Sequence, residues 1–138
     1  MKTDLMQAIQ ILNEGGYTCV LCKKNRIYTS MQRGIKALLD WQDNGLDFSG
    51  FCAADKVVGK AAAFLYVLLG VKEVYAYVMS KAAIDTLIKN NIQIRYENAV
   101  EKIINRSGTG FCPMEEAVWD IDAPELAKQA IKDKLCQL

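Results

Sequence analysis

Leu5, Met6, Ile9 and Leu12 recur at helical spacing, and Gly15-Gly16 stops the pattern. A helix over Thr3–Asn13 is therefore predicted. Tyr17–Cys22 and Arg26–Thr29 are β-rich runs joined by the polar turn Lys23-Lys24-Asn25, which predicts a hairpin. Gly34–Trp41 reads as a second helix ending near Asn44-Gly45, and Phe51–Ala54 as a short strand. Lys56–Leu69 is the most apolar stretch and predicts a helix buried on most faces, with Gly70 ending it. Val74–Met79 reads as a strand. Ser80 is a good N-cap for a helix over Lys81–Lys89. Ile92–Arg95 reads as a further strand and Val100–Ile104 as a short helix. Pro113 marks a helix start after a turn-rich loop, and a last helix covers Pro124–Leu135.

A hairpin followed by β-α-β-α-β predicts a mixed sheet with helices on both faces. No repeat, linker or low-complexity tract divides the chain, so residues 1–138 are expected to form a single domain. Composition adds little beyond this: 51% hydrophobic and 24% charged residues describe an ordinary globular chain. The net charge of +1 gives no electrostatic reason to expect nucleic acid. The longest uncharged apolar run, Ala61–Val71, is far shorter than the ~20 residues of a membrane span. Asp4 and Glu14 interrupt the N-terminal pattern, so it does not read as a signal peptide and a cytoplasmic location is expected.

Two residue types change the picture more. The chain has no histidine, which excludes histidine-dependent catalysis. It has five cysteines, an odd number that points to free thiols and not to a disulfide framework. Cys19 and Cys22 form the only CxxC, but residues three apart on a strand face opposite ways and do not easily share a metal.

Three segments stand out: Arg33-Gly34-Ile35 and two that are long and unusual, Ala54-Asp55-Lys56-Val57-Val58-Gly59-Lys60-Ala61-Ala62-Ala63 and Gly108-Thr109-Gly110-Phe111-Cys112-Pro113-Met114-Glu115. In these the whole chain resembles a prokaryotic family of unknown function within the cytidine-deaminase-like superfamily. The resemblance implies a three-layer α/β/α fold with a mixed five-stranded sheet. It also implies a site where two helix starts meet. In zinc deaminases those starts carry a His- or Cys-x-Glu and a Pro-Cys-x-x-Cys, and zinc-bound water attacks the base. The matching places here are Ser30–Arg33 and Asp55–Lys60, and neither holds a zinc ligand of that type. Cys52-Ala53-Ala54 lacks the glutamate, and Cys112-Pro113 has the order reversed with no second cysteine three residues on. No zinc deamination and no cofactor are expected.

The candidate chemistry gathers at these segments. Cys112 precedes Pro113 at a helix start, where a thiolate is stabilised and can serve as a nucleophile or redox group. The same residue could equally be a helix cap, with Glu115 closing a capping box. Ser107, Gly108, Thr109 and Gly110 could cradle an anion, with Arg106 adding a charged fork, or they could form a plain turn. Asp55 reads as the N-cap of the apolar helix, with Lys56 and Lys60 four apart on one face. The three either bind and activate a ligand, or act as a cap beside two solvated lysines. Arg33 lies where the resemblance places the pocket.

The expectation is thus a small-molecule site for an anionic or nucleotide-like ligand. Cys112, Asp55 and Lys56 are the reactive candidates. Arg33, Lys60, Arg106, Ser107–Gly110 and Glu115 are the binding candidates. Neither a nucleic acid nor a membrane partner is expected, and homo-oligomerisation is compatible with the sequence. The alternative is a non-catalytic ligand-binding or regulatory module.

Overall fold

In the computed structural model, which describes residues 3–32, 34–105 and 107–138, the apolar pattern resolves into one five-stranded sheet. The elements in chain order are α1 (Asp4–Gly15), β1 (Cys19–Lys23), β2 (Arg26–Ser30), α2 (Lys36–Asp43), β3 (Cys52–Val58) and α3 (Lys60–Leu69). They continue as β4 (Glu73–Ser80), α4 (Lys81–Lys89), β5 (Gln93–Val100), α5 (Pro113–Val118) and α6 (Pro124–Gln137). The sheet order is β2-β1-β3-β4-β5. β1 runs antiparallel to β2 and β3, while β3, β4 and β5 are parallel.

The helices divide unequally between the faces. Leu5, Ala8 and Leu12 of α1 pack on Val20, Cys22, Cys52, Ala54 and Tyr75. The opposite face carries the larger core, built with residues of α2 to α6. Cys19 belongs to the larger core and Cys22 to the smaller, as strand alternation requires. Burial pushes the Cys22 and Cys52 thiols up to about 11, so both remain protonated packing groups at neutral pH. All five cysteines are free.

The apolar stretch expected as a helix over Lys56–Leu69 divides differently. Asp55 and Lys56 lie in β3, and α3 begins only at Lys60. Ladder pairing extends the strand: Val57 and Val58 pair with Val78 and Met79 of β4. Asp55 is therefore not an N-cap, and Lys56 and Lys60 do not share a helix face. The expected helix at Val100–Ile104 is also absent. Val100 pairs with Ser80 at the end of β5, and Ile104 bridges Phe111. Too few residues remain between those two pairings for a stable helix.

β3 departs from strict alternation just where it meets the end of the sheet. Ala53 faces the larger core and Ala54 the smaller, yet Val58 returns to the larger core. In β4, Ala76 and Met79 make the same three-residue step, in register with Asp55 and Val58. A shared irregularity of this kind re-aims side chains at a sheet end. It leaves Asp55, Lys56 and Val57 all on one cleft wall.

α3 is buried nearly all round, through Ala61–Tyr66 and Leu69, and ends at Gly70 with φ of 85°. A Cβ there would lie 2.9 Å from the Ser49 Oγ. Gly70→Ala is expected to cost about 1–2 kcal/mol in urea denaturation, from left-handed strain plus that contact.

Candidate functional site

A cleft of about 260 Å³ opens where β1 and β3 meet the starts of α2, α3 and α5. Thr18, Gln32, Asp55, Lys56, Cys112 and Glu115 supply its polar groups, and Ile35, Leu38 and Met114 part of its apolar wall. Segments far apart in sequence thus bring Asp55, Lys56, Cys112 and Glu115 together.

Asp55 is the most constrained of these. The Tyr66 hydroxyl donates to its Oδ2 at 2.6 Å, and the Val57 N–H to its Oδ1 at 3.3 Å. The Cys19 Sγ lies 3.1 Å from the Tyr66 hydroxyl. Burial pushes the Asp55 carboxyl up to about 6, against the hydrogen bonds from Tyr66 and Val57 that favour its charged form. Burial also holds the Tyr66 phenol and the Cys19 thiol well above their usual values, and the Asp55 charge adds to both shifts.

Glu115 does something the sequence did not reveal. Only 3% exposed, it reaches away from its own helix to the start of α3. Its carboxylate accepts the Lys60 N–H at 2.6 Å and the Ala61 N–H at 2.8 Å. It is therefore a cap for α3 and not the far half of a capping box with Cys112. Burial raises the Glu115 carboxyl, while those two N–H groups and the Lys60 charge pull it down. Gly59 permits the approach: a Cβ at that position would stand 2.5 Å from the Glu115 Cδ and 2.7 Å from its Oε2.

Cys112 is half-buried on the cleft wall. It precedes the six-residue helix α5, and its side chain makes no cap hydrogen bond. Lys60 turns away from the cleft. Its Nζ donates to the Trp119 carbonyl at 2.7 Å and lines a separate polar hollow with Asp85, Lys89 and Asp122.

Ser107, Gly108, Thr109 and Gly110 also lie outside the cleft lining. Their loop is closed by Asn105, whose Oδ1 accepts from the Thr109 N–H at 3.0 Å, the Gly110 N–H at 3.4 Å and the Ser107 hydroxyl at 3.1 Å. The Gly108 N–H bonds the Asn105 carbonyl at 3.0 Å. The expected anion cradle is occupied from within by an Asn side chain. Arg33 and Arg106 lie outside the described residues.

Tyr66 and Thr18 have no place in the sequence-based expectations for the site, Cys19 enters them only as half of the CxxC, and Gln32 only within Ser30–Arg33. Tyr66 did leave a signal. It is the one hydroxyl inside the apolar run Ala61–Leu69, and a buried phenol takes a hydrogen-bond partner. Among the described residues, no three of His, Cys, Asp and Glu gather where they could hold a metal. Among the described residues, no helix is long and apolar enough to cross a membrane.

Together these features define an α/β protein with a mixed five-stranded sheet and a cleft at one end of that sheet. Residues 7–135 match the family TM1506, domain of unknown function (DUF1893), and the chain belongs to that family. It is similar to the crystal structure of a DUF1893 family protein from Thermotoga maritima, with a TM-score of 0.85 and 23% identity. That match covers 100% of this chain and 92% of the other. No curated protein matches.

Proposed function

We propose that the cleft binds a small polar, nucleotide-like molecule, on a cytidine-deaminase-like fold that works without zinc. The observation that carries this reading is the convergence of Asp55, Lys56 and Cys112 on one concave wall. Gln32 and Ile35 beside the start of α2, and Gly59 and Ala61 at the start of α3, also line it. Those are the two places where the deaminase resemblance locates its site. The residues there do not fit a zinc ion. Gln32, Gly59 and Lys60 stand in place of thiolate or imidazole ligands, and the Glu115 carboxylate is spent on the α3 N–H groups.

The cleft volume of about 260 Å³ falls just below the range of ligand sites, which run from ~300 to ~1,000 Å³. It suits a nucleobase- or nucleoside-sized molecule better than a dinucleotide. Lys56 can face an anionic substituent at the exposed side, and Asp55 a hydrogen-bond donor within. Cys112 supplies a nucleophile against the bound molecule in the catalytic form of this reading. The non-catalytic form, a binding or regulatory module, has one observation in its favour. Among the described residues the Cys112 thiol has no base hydrogen-bonded to it.

The test is a thermal-shift panel of nucleosides, nucleotides and small phosphorylated metabolites on wild type, Lys56→Ala and Cys112→Ser. A true ligand at 100 times its Kd adds ~2.7 kcal/mol, or roughly 8 °C for a chain of this size. Lys56→Ala is expected to remove most of the shift given by phosphorylated compounds. Cys112→Ser is expected to keep binding and to abolish any turnover. A panel without any stabilising compound would sink the reading.

A further inference from the structure

The cleft was expected to receive an anion, yet its described polar groups favour a different partner. Two carboxylates, Asp55 and Glu115, share the wall, and Lys56 is the one cation lining it among the described residues. The Lys60 and Ala61 N–H groups at the start of α3, which would attract an anion, already hold Glu115.

Asp55 ends a directed chain of hydrogen bonds. The Tyr66 hydroxyl gives its proton to the Asp55 Oδ2, so its own oxygen is free to accept the Cys19 S–H. All donors in the chain therefore point toward the carboxylate. Its Oδ1 takes the longer 3.3 Å bond from the Val57 N–H, and a carboxylate oxygen has further acceptor capacity for a ligand. Ile35, Leu38 and Met114 add apolar lining to the same cleft.

We infer that Asp55, positioned by Tyr66 and Cys19, is the proton acceptor of the cleft, and that its ligand presents a nitrogen–hydrogen edge of the amidine or aminoheterocycle class. This inference rests on the reading of the cleft as a small-molecule site. Binding joins the ligand N–H to an Asp55 oxygen in a charge-assisted hydrogen bond and breaks no covalent bond. Tyr66 and Cys19 are positioning residues, since they act through Asp55. The Tyr66 hydroxyl bonds Asp55 directly, and the other titratable groups around it lie along the same chain of bonds or on the same cleft wall. Cys19 is on β1 and Tyr66 on α3, while Cys112 and Glu115 line the cleft from the α5 side and Lys56 from β3 itself. Its register partner on β4 is the apolar Ala76.

Two measurements on the intact chain test this. The first is a carbon-13 carboxyl titration without ligand. One carboxyl is expected to titrate near the Asp55 value of about 6 and to vanish in Asp55→Asn. In Tyr66→Phe its midpoint is expected to move up, because the lost donor favoured the charged form. An unmoved midpoint in folded Tyr66→Phe overturns the positioning role.

The second is thermal shift with benzamidine and 2-aminopyridine, against benzoate and inorganic phosphate. Benzamidine is expected to stabilise wild type above the Asp55 midpoint and to lose at least ten-fold in affinity in Asp55→Asn. Stabilisation by benzoate or phosphate without benzamidine overturns the inference and leaves the small-molecule reading standing. An equal benzamidine shift in Asp55→Asn also overturns it. Silence from all four probes and from the nucleotide panel overturns both.

Discussion

Glu115→Ala is expected to lower the folding free energy by about 3 kcal/mol, which is roughly 10 °C in Tm for a domain of this length. The side chain lies inside the molecule, at 3% exposure. Its removal strands the Lys60 and Ala61 N–H groups, which lose a charge-assisted acceptor at 2.6 and 2.8 Å. Ala61 is itself buried, so water does not readily replace the lost oxygen. Glu115→Gln keeps one acceptor oxygen and puts an amide donor against the other N–H. It should fall between wild type and the alanine variant.

Gly59→Ala probes the same contact from the other side. Its φ of −101° is open to any residue, so backbone strain is not the cause of any loss. The added Cβ would collide with the Glu115 carboxylate and push it off the α3 N–H groups. The single variant is expected to cost about 2 kcal/mol. In a Glu115→Ala background the same change should cost almost nothing, a coupling of about 2 kcal/mol in a double-mutant cycle. Urea midpoints at unchanged slope measure all four proteins. Additive losses would show that Gly59 and Glu115 do not act through one contact.

Asp55→Asn is expected to stabilise the fold at neutral pH. The carboxyl moves from an ordinary 3.8 to about 6 in the folded protein, so the fold binds the proton more tightly than the unfolded chain. Its favourable contribution is complete below pH 3.8 and is lost as pH rises through about 6. Above pH 7 the buried charge then costs up to about 3 kcal/mol. The amide carries no charge and can still accept from Tyr66. The gain over wild type should therefore be largest at pH 7.5 and shrink to little at pH 4. Glu115 has a raised carboxyl with the same sign of pH dependence, but it is present in both proteins and cancels in the comparison. Urea denaturation at pH 4, 5.5 and 7.5 reads the difference. A gap that is flat with pH would mean that Asp55 titrates at an ordinary value.

Such a substitution exchanges stability for function if Asp55 serves the cleft. A half-buried, ionisable carboxylate that weakens its own fold is the pattern expected of a binding or catalytic group.

Where local sequence decided the structure, the sequence was readable. Gly15-Gly16 ends α1, Ser80 caps α4 through a 3.1 Å bond to the Ala83 N–H, and Pro113 opens α5. Where pairing across the chain decided it, the local signal misled. Asp55 before an apolar run has the pattern of an N-cap, but β1 and β4 hold it in a strand. Glu115 three residues after Cys112 has the spacing of a capping box, but the side chain answers the exposed N–H groups of α3. The Gly-rich loop has the composition of an anion cradle, and Asn105 fills it. The shared step in β3 and β4, which turns Lys56 toward the cleft, leaves no trace in either strand read alone. Asp55, Lys56, Cys112 and Glu115 were nonetheless all named from sequence. Their partner Tyr66 was hidden by its place in an apolar helix.

Alkylation of Cys112 in the presence of a stabilising compound tests the central claim most directly. Cys112 lines the cleft, and Cys136 at the end of α6 is exposed and serves as the internal control. A compound that raises Tm by occupying the cleft is expected to slow iodoacetamide labelling of Cys112 several-fold and to leave Cys136 unchanged. Stabilising compounds that leave the Cys112 rate unaltered would place the ligand elsewhere and contradict the assignment of this cleft.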